Sequence, residues 1–134
     1  GALEWVETQT DEICLAAVSN DGEALEWVET QTDEICLTAV SNDGKALEWV
    51  ETQTDEICLA AVSNDGEALE WVEIQRQTLK MCRIAVANNP FALIFAHYHT
   101  LYMCVDAVIA RPECIYYVSP DLRDDVTRCV YEFM

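Results

Sequence analysis

The sequence lacks several signals that would assign a location or a reaction. No run of 18 or more apolar residues occurs in its 134 residues, so no segment is predicted to span a membrane. There is no basic segment followed by an apolar core, and we therefore see no secretion signal and predict a cytoplasmic location. A Ser/His/Asp or Cys/His grouping, a phosphate loop and a zinc signature are also missing, so we predict no enzymatic activity, no cofactor and no metal site.

Basic residues are scarce and unevenly distributed. The chain has 25 acidic and 7 basic residues and a formal net charge of −18. Residues 1–67 hold 17 acidic residues and one lysine, net −16, whereas residues 68–134 hold 8 acidic and 6 basic residues, net −2. Because a chain this acidic repels phosphate, we predict no direct binding to nucleic acid.

The sequence does contain a repeat of 22 residues. Residues 24–45 differ from residues 2–23 only at Thr38 and Lys45, and residues 46–67 are identical to residues 2–23. The same columns continue to the last residue, with two extra residues near Ile74 to Gln77. A fixed period of this size is typical of stacked repeats. We therefore predict one domain, residues 1–134, with units 2–23, 24–45, 46–67, 68–91, 92–113 and a capping unit, 114–134.

Two short helices are predicted in each unit. In the second unit, apolar residues three or four apart favour helices over about Glu23–Val28 and Asp33–Asn42. Thr32 is predicted to cap the second helix, and Gly44 to end it in the left-handed conformation. One continuous helix with an 11-residue period is rejected, because polar residues and Gly44 would interrupt its apolar seam. The predicted fold is an all-α solenoid of six stacked helix-turn-helix repeats.

The last unit differs from the others in its second helix. Thr127, Arg128, Tyr131 and Glu132 alternate there with apolar positions, so the helix is apolar on one side only. A one-sided helix is expected where the last repeat of a solenoid has no neighbour on its outer side.

Three columns of the repeat are candidates for chemistry. The cysteine column (Cys14, Cys36, Cys58, Cys82 and Cys104) is too widely spaced for disulfides or a shared zinc ion, so we predict small buried apolar residues in a reducing compartment. The aromatic column, which begins Trp5, Trp27 and Trp49, is interpreted as core or as packing between repeats, with a stacking surface for bases or a peptide as the alternative. The glutamate columns are interpreted as a solvated face, with docking of a basic partner or mimicry of nucleic acid as alternatives. His97 and His99 are interpreted as a surface turn, with a metal site as the alternative.

The unit ALEWVETQTDEICLAAVSNDGE resembles short tandem helical repeats of unknown function that are abundant in giant viruses of the mimivirus group. The resemblance covers the first four units strongly and the last two loosely. It implies an all-helical array made in the host cytoplasm, and it carries over no catalytic residue. The unit is also similar to the repeats of the mimivirus virophage-resistance system, which implies a role in virus defence. Units of the family tend to be rich in lysine, whereas the first three units here are acidic.

These observations predict a non-enzymatic repeat scaffold for protein–protein interaction. The alternatives are a recently duplicated repeat selected at the level of the nucleic acid, and an acidic decoy for basic or nucleic-acid-binding proteins. The partner protein cannot be named from the sequence, but the first unit carries apolar residues that no preceding unit covers. We therefore predict a homodimer through that unit, with the following interface candidates: Leu3, Trp5, Val6, Ile13 and Leu15.

Overall fold

A computed structural model of the chain describes the backbone of residues 8–133 and the side chains of residues 8–132. This part of the chain is all-helical and contains no strand. The α-helices are α1 (Asp11–Asn20), α2 (Asp33–Asn42), α3 (Asp55–Asn64), α4 (Leu79–Asn88), α5 (Leu101–Ala110) and α6 (Pro120–Phe133). Between them lie 3₁₀ helices at Gly22–Trp27, Gly44–Trp49, Gly66–Trp71, Ile74–Arg76, Pro90–Phe95 and Pro112–Tyr117.

The helices are stacked in register. Each α-helix contacts the next α-helix, and each six-residue 3₁₀ helix contacts the next of its kind. One side of the stack is therefore built from α-helices and the other from 3₁₀ helices, which confirms the predicted helical solenoid. No helix within residues 8–133 has the length and apolar character needed to cross a bilayer.

Threonine caps set the start of five α-helices. The Thr32 hydroxyl accepts a hydrogen bond from the Ile35 N–H at 3.2 Å, as predicted. Such a bond satisfies one of the amide groups that have no partner in the first turn of a helix. The same bond recurs at Thr10, Thr54, Thr78 and Thr100. The observed bounds of α2 equal the predicted ones. The Thr32 cap and the residues that follow Asn42 determine these bounds through short-range contacts, which the sequence shows directly.

In the second to sixth units, which the structure describes from their start, the first helix is a 3₁₀ helix instead of an α-helix. In the second unit it spans Gly22–Trp27, where we predicted a helix over about Glu23–Val28. A 3₁₀ helix has three residues per turn, so side chains three apart lie above one another. Gly22 and Leu25 consequently share a buried face, whereas Glu23 is partly exposed and Glu26 is exposed.

The repeated glycine serves close packing and not the left-handed turn that we predicted. No described glycine has a positive φ angle. A Cβ atom at Gly44 would collide with the carbonyl oxygen of Ala61 in the next unit. Glycine is therefore needed because the backbones of successive units come too close for any side chain.

The core runs through the stack along the predicted columns. Leu25, Val28, Ile35, Cys36 and Val40 are all buried, which confirms their assignment to the core. In α6, the buried residue among those described is Val126, and Thr127, Arg128, Tyr131 and Glu132 are exposed. This confirms the predicted one-sided last helix.

Candidate functional site

One glutamine in each of the first four units fastens that unit to the next. Gln53, just before the Thr54 cap, is buried. Its Nε2 donates to the Trp71 carbonyl at 2.6 Å, and its Oε1 accepts from the Glu73 N–H at 3.2 Å. The Cys58 thiol donates to the same Oε1 at 3.5 Å. We call this set of bonds the glutamine staple; it fixes the backbone that follows the next 3₁₀ helix.

The glutamine staple recurs with little change along the stack. Gln9, Gln31 and Gln77 donate to the carbonyls of Trp27, Trp49 and Phe95, each 18 residues further along the chain. Their Oε1 atoms accept from backbone N–H groups 20 residues further along. A staple of this kind satisfies backbone groups that would otherwise lack partners in a turn.

His99 takes the glutamine position in the fifth unit. Its Nδ1 accepts from the Ser119 N–H at 3.1 Å, 20 residues further along, and its Nε2 lies 3.2 Å from the Leu93 carbonyl. Because a backbone N–H can only donate, Nδ1 must be the unprotonated nitrogen, which leaves Nε2–H to donate to Leu93. His99 is therefore a structural bridge to the last unit and not a free metal ligand.

A second set of bonds joins the ends of neighbouring α-helices. The Nδ2 of Asn64, at the end of α3, donates to the Ser41 carbonyl of α2 at 3.1 Å. Its Oδ1 accepts from the Gly44 N–H at 2.7 Å. Asn42 and Asn88 also donate to carbonyls at the end of the preceding α-helix. We call these bonds the asparagine clip; the fifth unit has Ala110 at this position and cannot form one.

The outer side of the 3₁₀ helices presents acidic and aromatic residues together. We call this surface the tryptophan–glutamate face, and it consists of Glu26, Trp27, Glu48, Trp49, Glu70 and Trp71. All three of its glutamates are exposed, as the solvated-face interpretation predicts. In the fifth and sixth units the glutamate position is held by Ile94 and Tyr116, so the acidic part of the face ends at the fourth unit.

The tryptophans of this face are less buried than we predicted. Trp27 is 41% exposed and Trp71 is 38% exposed, whereas Trp49 is partly buried and packs against the core. The Trp49 Nε1 donates to the Glu23 carboxylate of the neighbouring 3₁₀ helix at 2.7 Å. Trp27 and Trp71 therefore lie outside the core, to which the same 3₁₀ helices contribute alanine and leucine. Trp49 contacts the neighbouring 3₁₀ helix, which fits the interpretation as packing between repeats.

The cysteine column is buried and contains free thiols. Burial raises the pKa of Cys36 and Cys104 to about 11, and for Cys36 the nearby Asp33 and Glu51 carboxylates add to the effect. Thiols with so high a pKa carry almost no thiolate at neutral pH and are poor nucleophiles. The predicted role as small buried apolar residues fits this environment.

The histidine turn does not assemble a metal site within the described part of the chain. The His97 ring packs edge to face on Tyr98, with ring centroids 4.9 Å apart. Both ring nitrogens of His99 are engaged, Nε2 with the Leu93 carbonyl of its own unit and Nδ1 with the Ser119 N–H of the last unit. Among residues 8–132, no three His, Cys, Asp or Glu side chains are grouped so as to hold a metal ion.

The predicted dimer interface is only partly visible. Leu3, Trp5 and Val6 lie outside the described residues. Ile13 is 40% exposed, whereas its counterparts Ile35 and Ile57 are fully buried, and Leu15 is partly buried against the core. Of the two predicted residues that lie in the described part of the chain, the structure therefore places Ile13 on the surface.

No protein-family model, no curated protein and no solved structure matches this chain. Its function is therefore inferred from the geometry of the stack.

Proposed function

We propose that the chain is a non-enzymatic scaffold that binds a basic protein segment along the tryptophan–glutamate face. The observation that carries this proposal is the exposure of Trp27 and Trp71 beside exposed glutamates. Tryptophan is enriched among the residues that dominate binding energy at protein interfaces, and its ring attracts lysine and arginine side chains. A face that pairs tryptophan with carboxylates suits a partner with basic side chains.

The repeat supports an extended partner. The glutamine staple fixes the backbone directly after Trp71, at the Trp71 carbonyl and at the Glu73 N–H. Equivalent positions are therefore held in the same local geometry from unit to unit, which lowers the ordering cost of binding. The net charge of −16 in residues 1–67 steers a basic chain towards this part of the stack.

Two matched triple variants test the proposal. Glu26, Glu48 and Glu70 are changed to Gln in the first variant, which alters the tryptophan–glutamate face. The control changes Glu12, Glu34 and Glu56 to Gln; these residues are also exposed, but they lie in the first turns of α1, α2 and α3. Both variants lose three negative charges. Only the position of the lost charges differs.

The probe is a fluorescent peptide in which lysine and alanine alternate, titrated at physiological salt and followed by anisotropy. We expect the face variant to bind about tenfold more weakly than the control variant, since close charge pairs contribute more than distant ones. Equal weakening in both variants would show that the peptide senses only net charge, and the proposal would then be wrong.

Self-association through the first unit is also proposed, and it rests on the exposure of Ile13. Light scattering across a concentration series should show a dimer for the wild-type chain and a monomer for Ile13→Glu. A control, Ile94→Glu, places the same change at another exposed isoleucine. A wild-type mass that stays monomeric at every concentration would overturn this part of the proposal. The giant-virus resemblance and a role in virus defence remain predictions.

A further inference from the structure

A cavity of about 630 Å³ lies between α4 and α5. Its lining includes apolar side chains that are buried in the stack, namely Val86 of α4 with Met103 and Ala107 of α5. Arg83 of α4 and Asp106 of α5 also line it. The cavity thus combines an apolar floor with one cation and one anion, contributed by different helices.

Substitutions in two columns of the repeat distinguish this junction from the three junctions before it. The first column holds Leu15, Leu37 and Leu59 in the preceding α-helices, where each leucine is partly buried against the core. In α4 the same position is Arg83, which is exposed. An arginine head group remains in water, so the apolar volume of the leucine is lost from the junction.

The second column is that of the asparagine clip. Asn42, Asn64 and Asn88 hold α2, α3 and α4 to the preceding helix. Ala110 at the end of α5 has no amide group, and Pro90, where the other junctions have glycine, has no N–H to offer. Both residues line the cavity. The α4–α5 junction therefore lacks both the apolar filling and the clip of the three junctions before it.

The charged residues of the cavity indicate the ligand. Neither Arg83 nor Asp106 forms an ion pair with another residue in the described part of the chain. The volume lies within the range of roughly 300–1,000 Å³ that is usual for small-molecule sites. We propose that this cavity binds a small zwitterion with an apolar body, of the dipeptide class, with its carboxylate at Arg83 and its ammonium group at Asp106.

The assignment follows from charge complementarity and needs no contact with the tryptophan–glutamate face. Arg83 donates hydrogen bonds to a carboxylate in a fixed fork, and Asp106 accepts from an ammonium group. Apolar side chains of the ligand lie against Val86, Met103 and Ala107. The proposal is thus independent of the scaffold function, and either can fail alone.

The test measures binding of the dipeptide Leu-Phe by calorimetry, together with its N-acetylated and C-amidated forms. We expect saturable binding of the free dipeptide and binding about tenfold weaker when either charge is removed. This arm uses the wild-type protein only. Equal binding of the three peptides, or no saturable binding at millimolar concentration, would overturn the proposal.

Variants that restore the repeat sequence provide the second arm. Arg83→Leu and Ala110→Asn, combined, install the leucine and the clip residue of the other junctions. The double variant should lose dipeptide binding and keep or raise its thermal stability. The control Ala16→Thr places in α1 a residue that α2 already has as Thr38, and it should bind the dipeptide like wild type. Retained binding in the folded double variant would place the ligand elsewhere and refute the assignment.

Discussion

Replacement of Gln53 by leucine should weaken the junction between the third and fourth units. Leucine has a similar size and suits a buried position, but it can neither donate to the Trp71 carbonyl nor accept from the Glu73 N–H. An unsatisfied buried backbone group costs about 1–3 kcal/mol. Two such groups are affected, and water reaches part of the exposed Glu73 turn, so we expect a loss of roughly 2 kcal/mol.

Urea denaturation measures this loss. The control is Gln75→Leu, the same change at an exposed glutamine whose side chain bonds only to the Glu73 carboxylate; it should alter the unfolding free energy by less than about 0.5 kcal/mol. In a stack held by contacts between neighbours, a broken junction should also reduce the m-value, because the units unfold less cooperatively. If Gln53→Leu proves as mild as Gln75→Leu, the glutamine staple does not hold the units together.

Two further predictions concern the backbone contact and the buried thiols. Gly44→Ala should lower the unfolding free energy by about 2 kcal/mol, because the added Cβ would collide with the Ala61 carbonyl. The control is Ser41→Ala, at an exposed residue. Equal urea midpoints for the two variants would contradict this prediction. Burial raises the pKa of Cys58 to about 11, so the folded chain keeps this proton at a pH where the unfolded chain loses it. Stability should therefore be unaffected below about pH 8.5 and fall between about pH 8.5 and 11, and Cys58→Ala should show a shallower fall. If the unfolding free energies of the wild type and Cys58→Ala fall equally with pH, this thiol does not contribute to the pH dependence of stability.

The α-helices could be predicted closely because their signals are local. Thr32 caps the helix three residues before its bonding partner, and Asn42 is followed by residues that favour a stop. The 3₁₀ form of Gly22–Trp27 could not be predicted from the sequence, since a six-residue segment has little intrinsic preference and its conformation is set by packing. The same limit explains why the sequence does not show that Trp27 and Trp71 lie outside the core.

For the bonds between units, the sequence shows the glutamines that form them but not the backbone groups to which they bond. Gln9, Gln31, Gln53 and Gln77 recur with the repeat, but their partners lie 18 and 20 residues away and require the stacked geometry. His99 is interpreted as part of a surface turn because it lies between the two predicted helices of its unit, although it stands in the glutamine column. Its position immediately before the threonine cap was the signal available for its role.

The columns of the repeat do indicate that the α4–α5 junction differs from the junctions before it. Arg83 interrupts a leucine column and Ala110 interrupts an asparagine column, and the two breaks fall in consecutive units. Column breaks indicate a junction that differs from its neighbours. Their consequence for the space between α4 and α5 depends on which residues face each other across that junction, which periodicity alone does not give.

Amide hydrogen exchange tests most directly whether each of the first three units is fastened to the next by its glutamine. The N–H groups of Glu29, Glu51 and Glu73 belong to exposed residues in turns, yet each donates to a glutamine of the preceding unit. We expect these amides to exchange at least about tenfold more slowly than that of Thr52, which follows Glu51 in the same turn and has no such bond. Exchange at Glu51 as fast as at Thr52 would contradict the glutamine staple and the stack built on it.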